Sequence, residues 1–162
     1  YDLLILVDDT TSMTSFLRSL NTSLPQIISI SALTGYFDRV GLLAYRDYCH
    51  GDRILEWSGW ATPANDEVEP DLVQMASKLD ALRGHDWPEA VKTGLAKAYE
   101  VMRTDATTLI LYYADAPPHM ARDEGRGSVN YGNEQTALRK PQSFGGYGPR
   151  FADWASAARV RR

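Results

Sequence analysis

The residues that decide the fold are Leu3–Met13, which read LLILVDDTTSM. The first five are all apolar and two of them are β-branched, a pattern that predicts a strand buried on both faces. The run ends at the carboxylate of Asp8, and hydroxyl side chains follow at Thr10 and Ser12. Ligands bind at strand ends in open α/β sheets, and one carboxylate with two hydroxyls suits hard cations such as Mg²⁺, Mn²⁺ or Ca²⁺.

Length and composition are those of an ordinary globular domain. The chain has 162 residues, of which 44% are hydrophobic and 23% charged, and this predicts a single substantial core. Because no apolar run approaches the roughly 20 residues that span a bilayer, we expect no membrane segment. The single cysteine, Cys49, excludes an internal disulfide framework. It favours an intracellular (cytoplasmic) setting over an extracellular one.

The distribution of charge argues against nucleic-acid binding. The net charge is −4. Residues 1–120 carry 9 basic and 17 acidic side chains (−8), whereas residues 121–162 carry 8 basic and 4 acidic ones (+4). The part of the chain with the candidate site is therefore acidic, unlike the basic surface that nucleic acids require. The basic C-terminal segment is compatible with an acidic partner or with a solvated helix end.

Apolar periodicity predicts an alternation of strands and helices. The predicted elements are strands at 3–8, 40–46, 53–58 and 108–114, helices at 12–30, 71–82 and from Trp87 onwards, and a polar loop at 61–70. Pro25 predicts a kink or a break in the first helix. The alternation predicts an α/β fold with a doubly wound, mostly parallel, Rossmann-like sheet. One antiparallel edge strand, at 53–58, and helices on both faces complete this architecture.

Residues 121–162 follow a different pattern. Their many glycines and the preceding Pro117-Pro118 leave little periodicity, which predicts a long surface loop, and residues 151–160 suit a final helix. We therefore expect a single domain over residues 1–162, with a core at 2–120 and a loop-rich segment after it. The predicted strand at 108–114, the third parallel strand along the chain, would have an open apolar edge. We expect the loop-rich segment to shield this edge, or the chain to self-associate through it.

Two further carboxylates are predicted at the same end of the sheet. Asp115 follows the third parallel strand and Asp86 precedes a predicted helix, so the topology would bring both towards Asp8. Each hydroxyl or carboxylate also has a simpler interpretation. Thr10 and Ser12 suit caps of the first helix, and Asp86 suits the N-cap of a later one.

This constellation resembles the metal-ion-dependent adhesion site of von Willebrand factor type A domains. The family's first-strand motif is Asp-x-Ser-x-Ser, in which Thr10 here takes the place of the first Ser, and its final-strand Asp matches Asp115. Residues 84–90, GHDWPEA, resemble the Gly-Gly-x-Asp-x-Pro-Glu variant of an intracellular subgroup that includes domains attached to α-kinases. Residues 45–47 (YRD) and 114–119 (ADAPPH) are similar to the same subgroup.

The resemblance spans roughly residues 2–120 and implies a bound divalent cation and a protein partner. Mg²⁺ is the expected ion, with Mn²⁺ or Ca²⁺ as alternatives, and an acidic side chain of the partner would complete its shell. The implied ligands are Asp8, Thr10, Ser12, Asp86 and Asp115. As a third carboxylate, Asp86 would weaken the pull on an acidic partner by adding negative charge. A complete domain of this family continues through another strand, so we expect a C-terminal truncation.

Two other functions are alternatives: a Mg²⁺-dependent hydrolase or phosphatase that uses Asp8, and a metal-free scaffold whose site has decayed. A haloacid-dehalogenase-type phosphatase needs a second Asp where this chain has Thr10. The sequence has no Gly-x-x-x-x-Gly-Lys-Ser/Thr loop and no Gly-x-Ser-x-Gly elbow. We therefore expect a binding module and no enzyme. Minor roles are expected for Asp47 as a salt-bridge partner of Arg46 or Arg53, for Cys49 as a half-buried thiol and for Asp9 as a side chain that points away from the site.

Overall fold

A computed structural model describes residues 1–63 and 69–160 as an α/β protein with a four-stranded sheet. The strands are β1 (Asp2–Asp8), β2 (Arg39–Tyr45), β3 (Leu55–Ala61) and β4 (Thr108–Tyr113). The helices are α1 (Thr14–Thr34), α2 (Glu69–Lys78), α3 (Val91–Val101), α4 (Arg126–Arg139), α5 (Gly148–Phe151) and α6 (Trp154–Ala157). Short 3-10 turns lie at Thr11–Met13, Tyr48–Ile54 and Ser143–Gly146. Residues 64–68 of the predicted polar loop at 61–70 lie outside the described residues, whereas its first residue ends β3 and its last two begin α2.

The chain forms two compact units, each assembled from three segments. The first unit contains Tyr1–Ala44, Glu56–Leu82 and Arg103–Asp115, and the second contains Tyr45–Leu55, Arg83–Met102 and Ala116–Arg162. The assignment of residues 1–162 to a single domain stays a prediction. Within the described ranges, no helix combines the length and the apolar content needed to cross a bilayer.

The sheet has the strand order β3-β2-β1-β4. β1 and β4 are parallel, with a register that runs from Asp2 opposite Thr108 to Val7 opposite Tyr113. The link between β2 and β3 is shorter than the crossover of a dozen or more residues that parallel strands need. These two strands form the antiparallel pair of this mixed sheet, and β3 lies at an edge. The prediction of a mixed α/β fold with an antiparallel edge strand is confirmed.

The core of the first unit packs one face of the sheet against α1 and α2. Every residue of β1 is buried, as its unbroken apolar run predicts. The prediction of a break at Pro25 is wrong, because α1 continues through this residue. Leu24 and Ile28 on either side are buried in the core, and this packing outweighs the loss of one backbone hydrogen bond at a proline. The buried residues of this core are Leu3, Ile5, Val7, Met13, Leu17, Leu20, Leu24, Ile28, Val40, Leu42, Ala44, Leu72 and Ala76.

The second unit has its own small core and shows that the loop prediction is wrong at residues 126–139. Residues that were expected to form a surface loop form the 14-residue helix α4. Its Leu138 packs with Ala96 of α3 and with Phe151 and Ala152. The ring of Tyr99 lies 5.8 Å from that of Phe151, between centroids.

The sequence of α4 explains why apolar periodicity missed it. Its buried residues are Gly127, Asn130, Glu134 and Leu138. These positions have the spacing of one helix face, but only the last of them carries a large apolar side chain. A hydrophobic pattern therefore cannot identify this helix, because the face that it buries is mainly polar.

Asp2 begins β1 with a buried carboxylate that two arginines share. Arg103 binds it with both arms of its guanidinium, Nε to Oδ2 at 3.0 Å and NH2 to Oδ1 at 2.9 Å, and Arg39 donates to Oδ2. Burial alone would raise the pKa of Asp2. The hydrogen bonds and charges of Arg39 and Arg103 outweigh it and hold this pKa below its ordinary value.

We expect Asp2→Asn to lower the free energy of unfolding by about 2 kcal/mol at pH 7, because it removes charged hydrogen bonds from two arginines. A carboxyl group whose pKa is lowered in the folded state stabilises the fold at pH values above the ordinary pKa of Asp. This stabilisation is lost as pH falls through the folded-state pKa. The difference between Asp2→Asn and the unmodified chain should therefore shrink below about pH 4. Urea unfolding at pH 7 and pH 3 tests this. Asp105→Asn is the matched control, since Asp105 is exposed and lies 3.8 Å from the same Arg103.

β4 forms the other edge of the sheet and has no charged residue. All of its residues, TLILYY, are at least partly exposed, and Leu109 is 48% exposed. Such an edge invites pairing with another strand because its backbone groups and apolar side chains face solvent. Leu109 and Tyr112 are therefore exposed large side chains on an edge strand.

We expect the chain to self-associate through β4 and Leu109→Lys to suppress this association, because a lysine on an edge strand opposes strand pairing. Sedimentation at increasing protein concentration measures it. Leu33→Lys makes the same change at an 83% exposed position of α1 and should leave the association intact. The prediction would be contradicted if the unmodified chain has the mass of a monomer even at high concentration. It would also be contradicted if Leu109→Lys and Leu33→Lys lower the measured mass equally.

Candidate functional site

A series of four side chains, each within 3.4 Å of the next, begins at the end of β1 and finishes at Asp115 after β4. Thr10 donates to Asp8 Oδ1 from its backbone N–H at 3.0 Å and from Oγ1 at 2.7 Å. Thr10 Oγ1 lies 3.4 Å from Ser12 Oγ, and Ser12 Oγ donates to Asp115 Oδ1 at 3.0 Å. We call Asp8, Thr10, Ser12 and Asp115 the oxygen row. Four of the five predicted ligands are thus brought together in the first unit.

The sheet register and one loop contact position the oxygen row. Parallel pairing places Val7 opposite Tyr113, so the residues that follow β1 and β4 leave the sheet at the same end. The loop after β1 is held by the backbone of Leu82, which accepts from Thr11 N at 3.1 Å and donates to Asp9 O at 3.3 Å. Two strand ends and one backbone bridge therefore set the positions of these side chains.

The oxygen row runs from the interior to the surface. Asp8 and Thr10 are buried, whereas Ser12 and Asp115 are exposed. Its outer end is therefore accessible to a ligand from solvent, while its inner end is held by the buried strand. Asp9 is also fully buried.

The hydroxyl groups of the oxygen row do not cap a helix. Thr10 precedes the 3-10 turn but makes no side-chain cap hydrogen bond, and the N-cap of α1 is Met13. The capping interpretation of Thr10 and Ser12 is therefore wrong. Both hydroxyls are directed instead along the oxygen row, where Thr10 donates to Asp8 and Ser12 donates to Asp115.

The oxygen row combines two carboxylates and two hydroxyls, the kind of oxygen donor that hard cations prefer. Its successive O–O distances, 2.7, 3.4 and 3.0 Å, are hydrogen-bond contacts between neighbouring side chains. Among the described residues no group of three or more His, Cys, Asp or Glu side chains is arranged to hold a metal. A cation at this place would therefore rest on two carboxylates and two hydroxyls, with water as its remaining ligands.

Asp86, the fifth predicted ligand, belongs to the second unit. Its predicted role as an N-cap is wrong, because α3 begins at Val91 with Ala90 as its N-cap. Asn130 Nδ2 donates to Asp86 Oδ1 at 3.0 Å instead. Burial, and then the carboxylate of Asp47, raises the pKa of Asp86, and His119 and Asn130 oppose this rise. Metal binding by Asp86 stays a prediction.

The second unit contains a buried polar network that sequence reasoning missed. Asp47 receives hydrogen bonds from His119 Nε2 at 2.7 Å and from Asn130 Nδ2 at 2.7 Å. Lys92 Nζ lies 3.1 Å from Glu134 Oε2, and both side chains are fully or almost fully buried. The sequence interpretation paired Asp47 with an arginine and placed Asn130 and Glu134 in a loop. A spacing of four residues between these two was the only local signal of a shared helix face.

The lone cysteine lies in the second unit. Cys49 is exposed rather than half-buried as expected. The partial burial of its thiol, followed by the charges of Asp47 and Glu89, raises the pKa of Cys49. A raised thiol pKa lowers the fraction of thiolate, which is the nucleophilic form.

Comparison with known proteins identifies one curated relative and a shared fold. No family model matches the chain. A protein of Acanthamoeba polyphaga mimivirus, whose name describes it as ariadne-like RING finger protein R811, is 39% identical over 132 residues, or 80% of this chain. The chain spans only 12% of the length of that relative.

Two crystal structures of the pilus adhesin SpaC from Lactobacillus rhamnosus GG are similar in structure. The open conformation has a TM-score of 0.58 at 16% identity over 73% of this chain and 15% of the adhesin. A second crystal structure has a TM-score of 0.59 at 14% identity over 73% of this chain and 16% of the adhesin. At such low identity the likeness shows the fold alone.

Proposed function

We propose that the chain is a protein-binding module that holds a divalent cation, with Mg²⁺ as the first candidate, on the oxygen row. The observation that carries this proposal is the continuous series of oxygens from Asp8 Oδ1 to Asp115 Oδ1, which begins at a buried strand end and ends at the surface. The resemblance of the Asp-x-Thr-x-Ser motif to a metal-ion-dependent adhesion site supports it. The shared fold with a pilus adhesin is compatible with a binding role.

Each residue of the oxygen row has a distinct task in this proposal. The two carboxylates, Asp8 and Asp115, balance the charge of a divalent ion, and the hydroxyls of Thr10 and Ser12 contribute neutral oxygens between them. When bound, the cation offers a position that attracts a carboxylate oxygen of a partner protein. The exposed end of the row, at Ser12 and Asp115, is where the partner gains access.

Titration with Mn²⁺, followed by electron paramagnetic resonance, tests the proposed ligands directly. We expect one saturable site on the unmodified chain, with Mg²⁺ as a competitor. Asp8→Asn and Ser12→Ala should each weaken binding by roughly tenfold or more, because ligands of a small hard ion are few. Asp80→Asn, which changes an exposed carboxylate of the same unit, should not.

The hydrolase alternative makes a different prediction for the same protein. A phosphoesterase that uses Asp8 would release product from a generic phosphoester at millimolar Mg²⁺, and Asp8→Asn would abolish the release. The binding module should show no turnover above the Asp8→Asn background. Turnover that depends on Asp8, or the absence of a saturable Mn²⁺ site, would contradict the proposed function.

A further inference from the structure

A small polar cavity lies beside the oxygen row in the first unit. It has a volume of about 180 Å³ and is lined by the first turns of α1 and by residues that follow α2. Its polar lining residues are Thr14, Arg18, Asn21 and Asp80. Pockets for drug-sized ligands measure roughly 300–1,000 Å³. This cavity is smaller, so it suits one amino-acid side chain of a protein partner.

Two hydrogen bonds join the cavity to the loop that carries the oxygen row. Thr14, which lines the cavity, donates from Oγ1 to Thr11 O at 2.7 Å. Thr11 Oγ1 donates to the backbone oxygen of Ala81, another lining residue, at 3.4 Å. Thr11 stands between Thr10 and Ser12 of the oxygen row in the chain, and all of these residues belong to the first unit. A partner segment held at the outer end of the oxygen row would therefore have the cavity beside it.

The cavity offers a positive and a negative group that are not paired with each other. Arg18 and Asp80 are both exposed, and both line the cavity. Among the described residues neither side chain takes part in an ion pair. A charged ligand group would meet a like charge at one of them. A carboxamide carries no net charge, accepts through its oxygen and donates through its NH2, so it matches both groups at once.

We propose that the cavity binds the Gln or Asn side chain of a partner segment whose acidic residue completes the shell of the cation. The carboxamide oxygen accepts from the guanidinium of Arg18, and the NH2 group donates to the carboxylate of Asp80. The inference rests on the proposed function, because it adds a second contact to the same partner. It therefore names the chemistry by which one acidic segment would be preferred over another.

The geometry of α1 sets the spacing between the two contacts. Arg18 follows Ser12 by six positions, which is roughly 9 Å along a helix that rises about 1.5 Å per residue. An extended peptide rises about 3.3 Å per residue. The amide residue of the partner should therefore lie two or three positions from its acidic residue.

A position-scanning peptide array tests this chemistry and spacing without a known partner. Each peptide has a fixed central Asp in a background of alanine and serine, and each flanking position in turn carries every other amino acid. The array is probed with the whole unmodified chain at millimolar Mg²⁺. We expect Gln or Asn to be preferred two or three positions from the Asp, on one side of it. No preference there, a preference for charged or apolar residues, or a chain that binds Mn²⁺ but no peptide would overturn the proposal.

The same array probed with Arg18→Glu tests whether Arg18 sets the preference. This variant places two carboxylates in the cavity, so the preferred residue should change from Gln or Asn to Lys or Arg. An unchanged preference would contradict the proposal.

Fluorescence anisotropy gives the size of the contact, with the preferred peptide and the same peptide carrying Ala in place of its amide residue. Arg18→Ala should weaken binding of the amide peptide by roughly tenfold, and that of the Ala peptide by less than about twofold. Lys78→Ala removes an exposed positive charge outside the cavity and should weaken both peptides equally, by less than about twofold. Equal losses of the two peptides in Arg18→Ala would show that Arg18 attracts the peptide only by its charge.

Addition of EDTA and replacement of the fixed Asp separate this inference from the proposed function. Binding that needs the Asp and the cation but shows no preference for an amide residue would overturn the cavity contact and leave the proposed function intact. A preference for an amide residue that depends on Arg18 and persists in EDTA would support the cavity contact and contradict capture of the partner through the cation. Loss of binding in EDTA, together with the changed preference in Arg18→Glu, would support both.

Discussion

Lys92→Met is expected to lower the free energy of unfolding by about 3–5 kcal/mol at pH 7, the usual cost of removing one partner from a buried ion pair. The side chains of Lys92 and Glu134 are 1% and 0% exposed, and Nζ lies 3.1 Å from Oε2. Met fills similar space but carries no charge. The carboxylate of Glu134 would keep the hydrogen bonds from Thr93, from N at 3.3 Å and from Oγ1 at 3.2 Å.

The cost of Lys92→Met should increase with pH. Burial raises the pKa of Glu134, and the charge of Lys92 limits that rise. Without Lys92 the folded pKa moves further above the unfolded value. A raised carboxyl pKa means that the folded state binds the proton more tightly, so stability falls as pH rises from the unfolded pKa through the folded one. The penalty should therefore be smallest near pH 4 and largest at neutral pH.

Urea unfolding of single and double variants measures this effect. Lys97→Met is the matched control, because Lys97 pairs with Glu100 at the same 3.1 Å, yet both side chains are partly exposed. This control should cost less than about 1 kcal/mol. Lys92→Met/Glu134→Gln should recover part of the loss, since it removes the buried charge. Equal costs for Lys92→Met and Lys97→Met, or a cost that does not vary with pH, would show that Lys92 and Glu134 are not a charged pair.

Mg²⁺ is expected to raise the Tm of the unmodified chain by about 5–10 °C at a hundredfold excess over its Kd. Such an excess adds about 2.7 kcal/mol by mass action, and each kcal/mol raises Tm by about 2–4 °C in a chain of this size. Asp8→Asn and Asp115→Asn should lose this increment, because each removes one of the two charges that balance the ion. Differential scanning fluorimetry with and without Mg²⁺ measures it.

The increment in Tm, and not the Tm itself, is the quantity to compare. Asp8→Asn changes a buried side chain that accepts two hydrogen bonds from Thr10, so it will lower Tm even without metal. Asp80→Asn changes an exposed carboxylate of the same unit and should keep the full increment. Asp9 is not a suitable control because it is fully buried. If neither Mg²⁺ nor Mn²⁺ changes the Tm of the unmodified chain, the oxygen row is a hydrogen-bonded loop and not a metal site.

Much of the first unit could be predicted from sequence, because its signals are local. The apolar run before Asp8 specifies a strand that must be buried, and it became the fully buried β1. Positions 8, 10 and 12 are close in sequence, so their side chains meet once the strand ends in a tight turn. Asp115 could be added to this predicted site because it follows another apolar strand. Parallel strands end at the same edge of a sheet, so the residues after them lie close together.

The polar interior of the second unit was decided by tertiary structure alone. Asp47 meets His119 and Lys92 meets Glu134 across long stretches of chain, and no local pattern indicates such pairs. The helix α4 buries Asn130 and Glu134 on the face where periodicity analysis looks for apolar residues. Hydrophobic patterning detects only burial that is driven by apolar area, whereas these groups are buried because specific partners compensate their desolvation. The sequence by itself therefore determined the strand and its oxygen row, and only the folded chain determined which polar groups are paired inside it.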